Sequence, residues 1–327
     1  MAAVMAAPLA TTAQQPAPVQ HELFTTPAVV STSATPVHTG TGTLAVAHTL
    51  SYPAIEFGSG FAFTGAALIA TRPYGFAKAD AGSGVHASLL ASNVSHLNAN
   101  EHGALLVRAG AMPTAFGAYA AHALDAEEPL ADAPIGYGYE GAPLSLFPVT
   151  GVQVNAAQAR WDARLQVANS SGTAPRGLFA AAQAANVAGG AGIRFGEDLH
   201  VGASGMTGST AAGELGAAGL EAAWNHPRTA VRSELQCFLG GAAHAWTGYA
   251  EMRQQVNDRW FVAGRYGALA GSNGGAQSLE AAAGFRTSHS QVVKAGYRTQ
   301  FAATGTQAAG SALTLQLTTV LHGPGGQ

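Results

Sequence analysis

The sequence predicts an all-β protein, an antiparallel transmembrane β-barrel of about 16 strands (fallback 14) with short periplasmic turns on one rim and long extracellular loops on the other. Three observations predict it. Charged residues make up only 10% of the 327 residues, against roughly 25% in an ordinary soluble domain, and 42 residues are glycine. Mean hydropathy is slightly positive, +0.13, yet no apolar run reaches the roughly 18 residues that a spanning helix needs. Hydrophobicity alternates with a period of two in segment after segment, which is the signature of strands with one apolar face.

The same composition excludes other classes. A net charge of −3 with a pI near 6.4 lacks the basic excess of a nucleic-acid binder. The single cysteine, Cys237, excludes a disulfide framework and any multi-cysteine metal site.

Taken from the N-terminus, residues 1–20 carry no Lys, Arg, Asp or Glu and are expected to be a leader. The run to Ala13 reads as the back half of a secretory signal, with small residues at Ala10 and Ala13, but it has no basic n-region. A truncated signal and an Ala/Pro-rich leader both fit. Residues 21–40, rich in Pro, Thr and Ser, are expected to be a weakly ordered segment or to hold a first strand. The barrel is expected over 41–322, and 323–327 as a tail.

Within the barrel, the alternation places Trp161, Ala163, Leu165 and Val167 opposite Arg160, Asp162, Arg164 and Gln166. Likewise Val293, Ala295 and Tyr297 oppose Lys294 and Arg298, and Leu235 and Cys237 oppose Glu234 and Gln236. A helical period would scatter these charges around a whole circumference. Fifteen strands are expected at 41–50, 56–72, 84–95, 102–111, 151–156, 159–168, 189–196, 199–206, 216–225, 229–239, 244–255, 259–267, 278–286, 291–301 and 311–321. Single-chain bacterial barrels favour even numbers, and the Thr/Val-rich piece Thr26–Ser33 is the candidate for a sixteenth. Short turns near 98–102, 156–158, 196–198, 225–228, 256–258 and 287–290 alternate with longer links at 73–83, 113–150, 169–189, 207–215, 240–244, 268–277 and 303–310.

Alternation alone does not say which face meets water. The low charge content, the Ala/Gly-rich apolar faces and the aromatic residues near strand ends, such as Trp224 and Trp260, favour apolar faces turned to lipid. A soluble secreted β-domain is the competing reading.

Against this pattern a resemblance becomes visible. The stretches LLVRAGAMPTAFGAY (105–119), ADAPIGYGYEG (131–141), LFPVTGVQVNAAQARWDARLQVANSSG (146–172) and DRWFVAGRY (258–266), with the closing strands from Val292 to Leu321, resemble phosphate-selective porin O/P-type outer-membrane proteins. The likeness covers roughly residues 40–321 and rests on distributed patterning. It implies a porin in the bacterial outer membrane, surrounded by outer-membrane lipid and assembled as a homotrimer. The chain departs from the family in lacking the Lys-dense clusters that phosphate selectivity would need.

The chemistry-bearing residues point to passage, not reaction. The twelve histidines form no HExxH or other ligand spacing, so no metal or other cofactor is expected. His200 and Ser204 share a strand face without an acidic orienter or a nucleophile motif, so no enzyme is expected. Ten cations fall on polar-face positions (Arg108, Arg160, Arg164, Arg194, Arg232, Arg253, Arg265, Arg286, Lys294 and Arg298) against five acids (Asp162, Glu221, Glu234, Glu251 and Glu280). Either Arg232/Glu234 and Glu251/Arg253 are cross-strand pairs that simply stabilise the wall, or the arginines form a ladder, opposed by acids of the 113–150 link, that favours anions in an aqueous pore. The link 113–150 is expected to fold inward as the constriction, presenting Phe116, Tyr119, Tyr137 and Tyr139 to the wall and Glu127, Glu128 and Asp132 to the arginines. The sequence therefore reads as a porin-like channel for passive diffusion of small anionic or neutral hydrophilic solutes, with an anion preference. A closed barrel acting as adhesin or structural anchor is the alternative.

Overall fold

The structure, a computed structural model, describes residues 29–32, 38–39, 42–56, 61–70, 86–122, 128–130, 133–137, 143–144, 148–170, 186–210, 213–240, 244–272, 274–288, 291–304 and 309–320, with side chains from Asn93 onward except 121–122, 209–210 and 318–320. These residues form one sheet of 17 strand segments. Fifteen are long: β3 (Gly42–Glu56), β4 (Phe61–Ala70), β5 (His86–Asn100), β6 (Gly103–Met112), β7 (Val149–Ala157), β8 (Trp161–Ala168), β9 (Asn186–Phe195), β10 (Leu199–Thr210), β11 (Gly213–His226), β12 (Thr229–Gly240), β13 (Ala245–Gln255), β14 (Trp260–Gly271), β15 (Gly274–Ser288), β16 (Gln291–Phe301) and β17 (Gly310–Val320). Each matches one of the fifteen expected segments. The leader and the tail after Val320 lie outside the described residues.

Consecutive strands pair antiparallel all the way from β3 to β17. Fifteen strands leave β3 and β17 parallel, and a single parallel bridge, Val320↔Ser51, joins them. The short β1 (Val29–Thr32) lies at this seam, antiparallel to β17 over four positions and to β3 at Ser31↔Thr49. It falls inside the Thr26–Ser33 piece expected to supply a sixteenth strand. The two-residue β2 (His38–Thr39) pairs only the start of β3.

Two links expected to be long are largely strand. β10 and β11 pair out to Thr210↔Gly213, and β14 and β15 out to Gly271↔Gly274. Their Gly, Ser and Ala content suggested loops, but small residues extend a ladder equally well when the partner strand supplies the register. Gly213 and Gly274, both at φ 118°, make the tight reversals.

The face pattern is that of a soluble protein turned inside out. Leu165, Leu220, Leu235, Leu279, Leu313, Ile193 and Trp260 are exposed on the outer wall. Gln166, Glu234, Gln236, Glu251, Arg265, Glu280, Lys294 and Arg298 are buried inside. A soluble sheet protein of this size would bury the first set and solvate the second. The soluble reading therefore fails, and the outer apolar wall faces lipid.

Candidate functional site

The inner wall is built by register. Because β13 to β16 pair residue for residue, Glu251, Arg265, Glu280 and Arg298 stand directly opposite one another on four neighbouring strands. Period two turns all four inward. Arg265, with its side chain wholly buried, binds Glu251 at 2.6 Å and Glu280 at 3.2 Å, and Arg298 binds Glu280 at 3.1 Å. The result is a belt of alternating sign. Buried pairs of this kind are costly to break, about 3–5 kcal/mol when one partner is removed.

The belt differs from the pairing the sequence suggested. Arg232/Glu234 and Glu251/Arg253 sit two apart on single strands, whereas direct cross-strand opposition gives Arg232↔Glu251 and Glu251↔Arg265. Glu221 and Glu234 face each other across β11 and β12, and each takes its own partners. Glu221 takes Arg164 at 2.9 Å, while Glu234 accepts hydrogen bonds from the inserted link. Toward the short-turn rim, His200 lies 2.8 Å from Asp162, reaching across β9 where a Cβ on Gly192 would overlap the imidazole.

The described parts of the 113–150 link lie against this wall. Its one helical turn, α1 (Ala118–His122), starts over Glu234, whose carboxylate accepts the Ala118 amide at 2.9 Å, the Tyr119 amide at 3.3 Å and the Tyr137 hydroxyl at 2.9 Å. Gly117, at φ +84°, makes the close approach possible, because a Cβ there would overlap the Tyr137 hydroxyl. Burial and the nearby Glu234 carboxylate push the Tyr137 phenol well above its usual pKa. Just upstream, Gln166 accepts the Ala115 amide at 3.0 Å and Arg164 Nε donates to the Ala115 carbonyl at 2.8 Å. Phe116, Tyr119, Tyr137 and Leu144 form an apolar cluster with Met206, Phe238 and Tyr249 of the wall.

Further along, Glu128 reaches the belt. Its carboxylate lies 2.9 Å from Arg265 and 3.5 Å from Arg232. Lys294 donates to its backbone carbonyl, and Arg298 donates to the carbonyl of Ala133 at 3.0 Å. Burial, reinforced by Glu251, pushes the Glu128 carboxyl up to about 7, and Arg265, Arg232 and Lys294 restrain the rise.

The remaining expected residues are distributed as follows. Arg108, Arg194, Arg253 and Arg286 are half-buried on the inner face, with the Arg253 guanidinium 4.9 Å from the Phe261 ring centroid. Arg160 is a correction: it is exposed in the bend between β7 and β8, because the strand ends before it and period two no longer applies. Glu127, Asp132 and Tyr139 lie outside the described residues. With Arg160 at the rim and Glu128 inside, nine cations and six carboxylates of the described residues face inward. Sequence reasoning assigned no role to Gln153, Asn155, Gln166 and Gln236, which hydrogen-bond along the wall and to the inserted link. Their polar phase within apolar strands was the available signal.

No protein-family model matches the chain, and no curated protein matches it in sequence. Solved structures do match in shape. The outer membrane channel DcaP of Acinetobacter baumannii superposes with a TM-score of 0.53 at 8% identity, over 89% of this chain and 94% of that one. An anion-selective porin from Comamonas acidovorans gives 0.52 at 14%, over 89% and 95%. The trimer form of in-vitro folded OmpT from Vibrio cholerae gives 0.52 at 11%, over 89% and 96%. This is the fold of bacterial outer-membrane porins. An apolar outer wall on a porin-type barrel places the chain in a bacterial outer membrane.

Proposed function

We propose that the protein is an outer-membrane channel for passive diffusion of small hydrophilic solutes, with a preference for anions, and that the 113–150 link is its constriction. The observation that carries this reading is the inner wall. Among the described residues its polar side chains face inward, cations outnumber carboxylates there, and Arg108, Arg194, Arg232, Arg253 and Arg286 are half-buried. Rings of Arg and Lys favour anions. The shape shared with an anion-selective porin supports the preference, and the trimer form of the similar OmpT supports a homotrimer in outer-membrane lipid. The narrower resemblance to phosphate-selective porins rests on sequence patterning, and it makes phosphate a permeant to test beside chloride.

Planar-bilayer recording across a KCl gradient tests the reading in one experiment. Discrete conductance steps with a reversal potential on the chloride side are expected. A potential on the potassium side would overturn the anion preference. A folded, bilayer-inserted protein without conductance would overturn the channel and leave the closed barrel acting as an anchor or adhesin, a reading that the apolar cluster on the inner wall favours.

A further inference from the structure

The contacts between the inserted link and the wall divide into two kinds. One kind uses backbone atoms of the link: Lys294 on the Glu128 carbonyl, Arg298 on the Ala133 carbonyl, Arg164 on the Ala115 carbonyl, and Glu234 under the Ala118 and Tyr119 amides. None of these depends on the charge of a side chain from the link. The other kind uses side chains of the link: the Tyr137 hydroxyl on Glu234, the apolar cluster around Phe116 and Tyr119, and, as the one charged group among the described residues, the Glu128 carboxylate, set between Arg265 and Arg232.

We propose that Glu128 is the channel's proton-operated selectivity switch: gaining a proton strengthens the anion preference of the lumen while the link stays in place. This rests on the channel reading above. The charge balance around the carboxyl gives the direction. Arg232 on β12, Glu251 on β13, Arg265 on β14 and Lys294 on β16 face it, and Glu280 on β15 and Arg298 on β16 continue the same belt of charge from Arg265. With Glu128 ionised, four cations meet three carboxylates, an excess of one positive charge. Protonation raises that excess to two. Glu128 is buried, at 6% exposure, where charge is screened less than at a surface, so one added unit is felt across the passage. Burial beside Glu251 raises the carboxyl to about 7, so the change falls within the range a cell surface meets. The backbone clamps do not titrate with it, which separates selectivity from open area.

The test compares the full-length wild type with Glu128→Gln in planar bilayers across a KCl gradient, between about pH 5.5 and 8.5. The reading is the difference between the two proteins, which cancels whatever both lumens share. The variant is expected to sit on the chloride side of the wild type at alkaline pH and to lose most of the wild-type shift on acidification, with the same unit conductance. A variant with wild-type selectivity and the full shift overturns the proposal. So does a variant whose unit conductance rises, because the carboxylate would then be holding the link. A second measurement needs no conduction: an infrared titration of the folded protein in detergent. The carbonyl band of a protonated carboxylic acid should grow in the wild type near neutral pH and be missing from Glu128→Gln. Its absence from the wild type overturns the switch. If the band titrates but no channels open, the channel reading has failed.

Discussion

Removing the Glu234 carboxylate should release the first turn of the inserted link without unfolding the barrel. In Glu234→Ala the Ala118 and Tyr119 amides, now at 2.9 and 3.3 Å from the carboxylate oxygens, lose their acceptor, as does the Tyr137 hydroxyl. A buried donor left without a partner costs about 1–3 kcal/mol. Water entering from the lumen softens part of this, so we take the low end of the range for each of three donors, about 3 kcal/mol in all. At about 1.4 kcal/mol per factor of ten, local opening becomes roughly 100-fold more frequent. Hydrogen exchange followed by mass spectrometry on the 113–122 peptide reads this directly. That peptide should exchange about 100-fold faster, while peptides from β14 to β16 stay as protected as in the wild type. Glu234→Gln keeps one acceptor and should fall in between, and Tyr137→Phe should cost about 1 kcal/mol. Unchanged exchange at 113–122 in Glu234→Ala would refute the claim that this carboxylate anchors the link.

Other outcomes follow from the same geometry. Leu315→Arg, on the exposed outer wall, should cost about 2–4 kcal/mol of folding stability in lipid, whereas Leu315→Phe should be tolerated. Equal effects in urea titrations of vesicle-folded protein would mean that this face does not meet lipid. In a Cys237→Ser background, Ser272→Cys should react with an impermeant thiol reagent on whole cells, while Glu197→Cys and Asp258→Cys, exposed on the opposite rim, should not. Labelling at all three would reverse or abolish the orientation. Deleting 121–133 should raise unit conductance and move the reversal potential toward chloride in bilayers, and an unchanged conductance would mean that the link does not narrow the passage.

The strands were legible because period two is a local property: each inward position can be counted from its neighbours, as with Glu251, Arg265 and Glu280. Pairing was less legible. Arg232 and Glu234 are close in sequence, but side chains two apart on a strand stand in file, and their partners come from register with other strands, which no local pattern encodes. Arg160 shows the same limit at a strand end, where one residue separates wall from turn. Gln166 shows it for packing. By composition it is one more polar lumen residue, yet it is 1% exposed, bound to the Ala115 amide and the Pro113 carbonyl. Replacing it with arginine would displace the link. The extension of the β10–β11 and β14–β15 ladders to Thr210↔Gly213 and Gly271↔Gly274 was hidden because Gly, Ser and Ala serve strands and loops alike.

The two sets of contacts on the link also bear on where selectivity can reside. In the belt from Glu251 to Arg298, each guanidinium is held by carboxylates of the neighbouring strands, so a passing anion would have to compete with partners that need not move. An arginine ladder read from the sequence overstates the charge such residues offer to solute. The half-buried cations outside the belt, Arg108, Arg194, Arg253 and Arg286, stand on other parts of the wall, and a solute meets them at partial exposure. Size and charge are then set by different residues. Glu234 and the backbone clamps fix how far the link projects, and Glu128 together with these outer arginines fixes what sign it favours. The deletion of 121–133 should change both properties at once, and Glu128→Gln only the second. A protein in which the two variants gave the same conductance would be one whose link carries charge into the passage without occupying it.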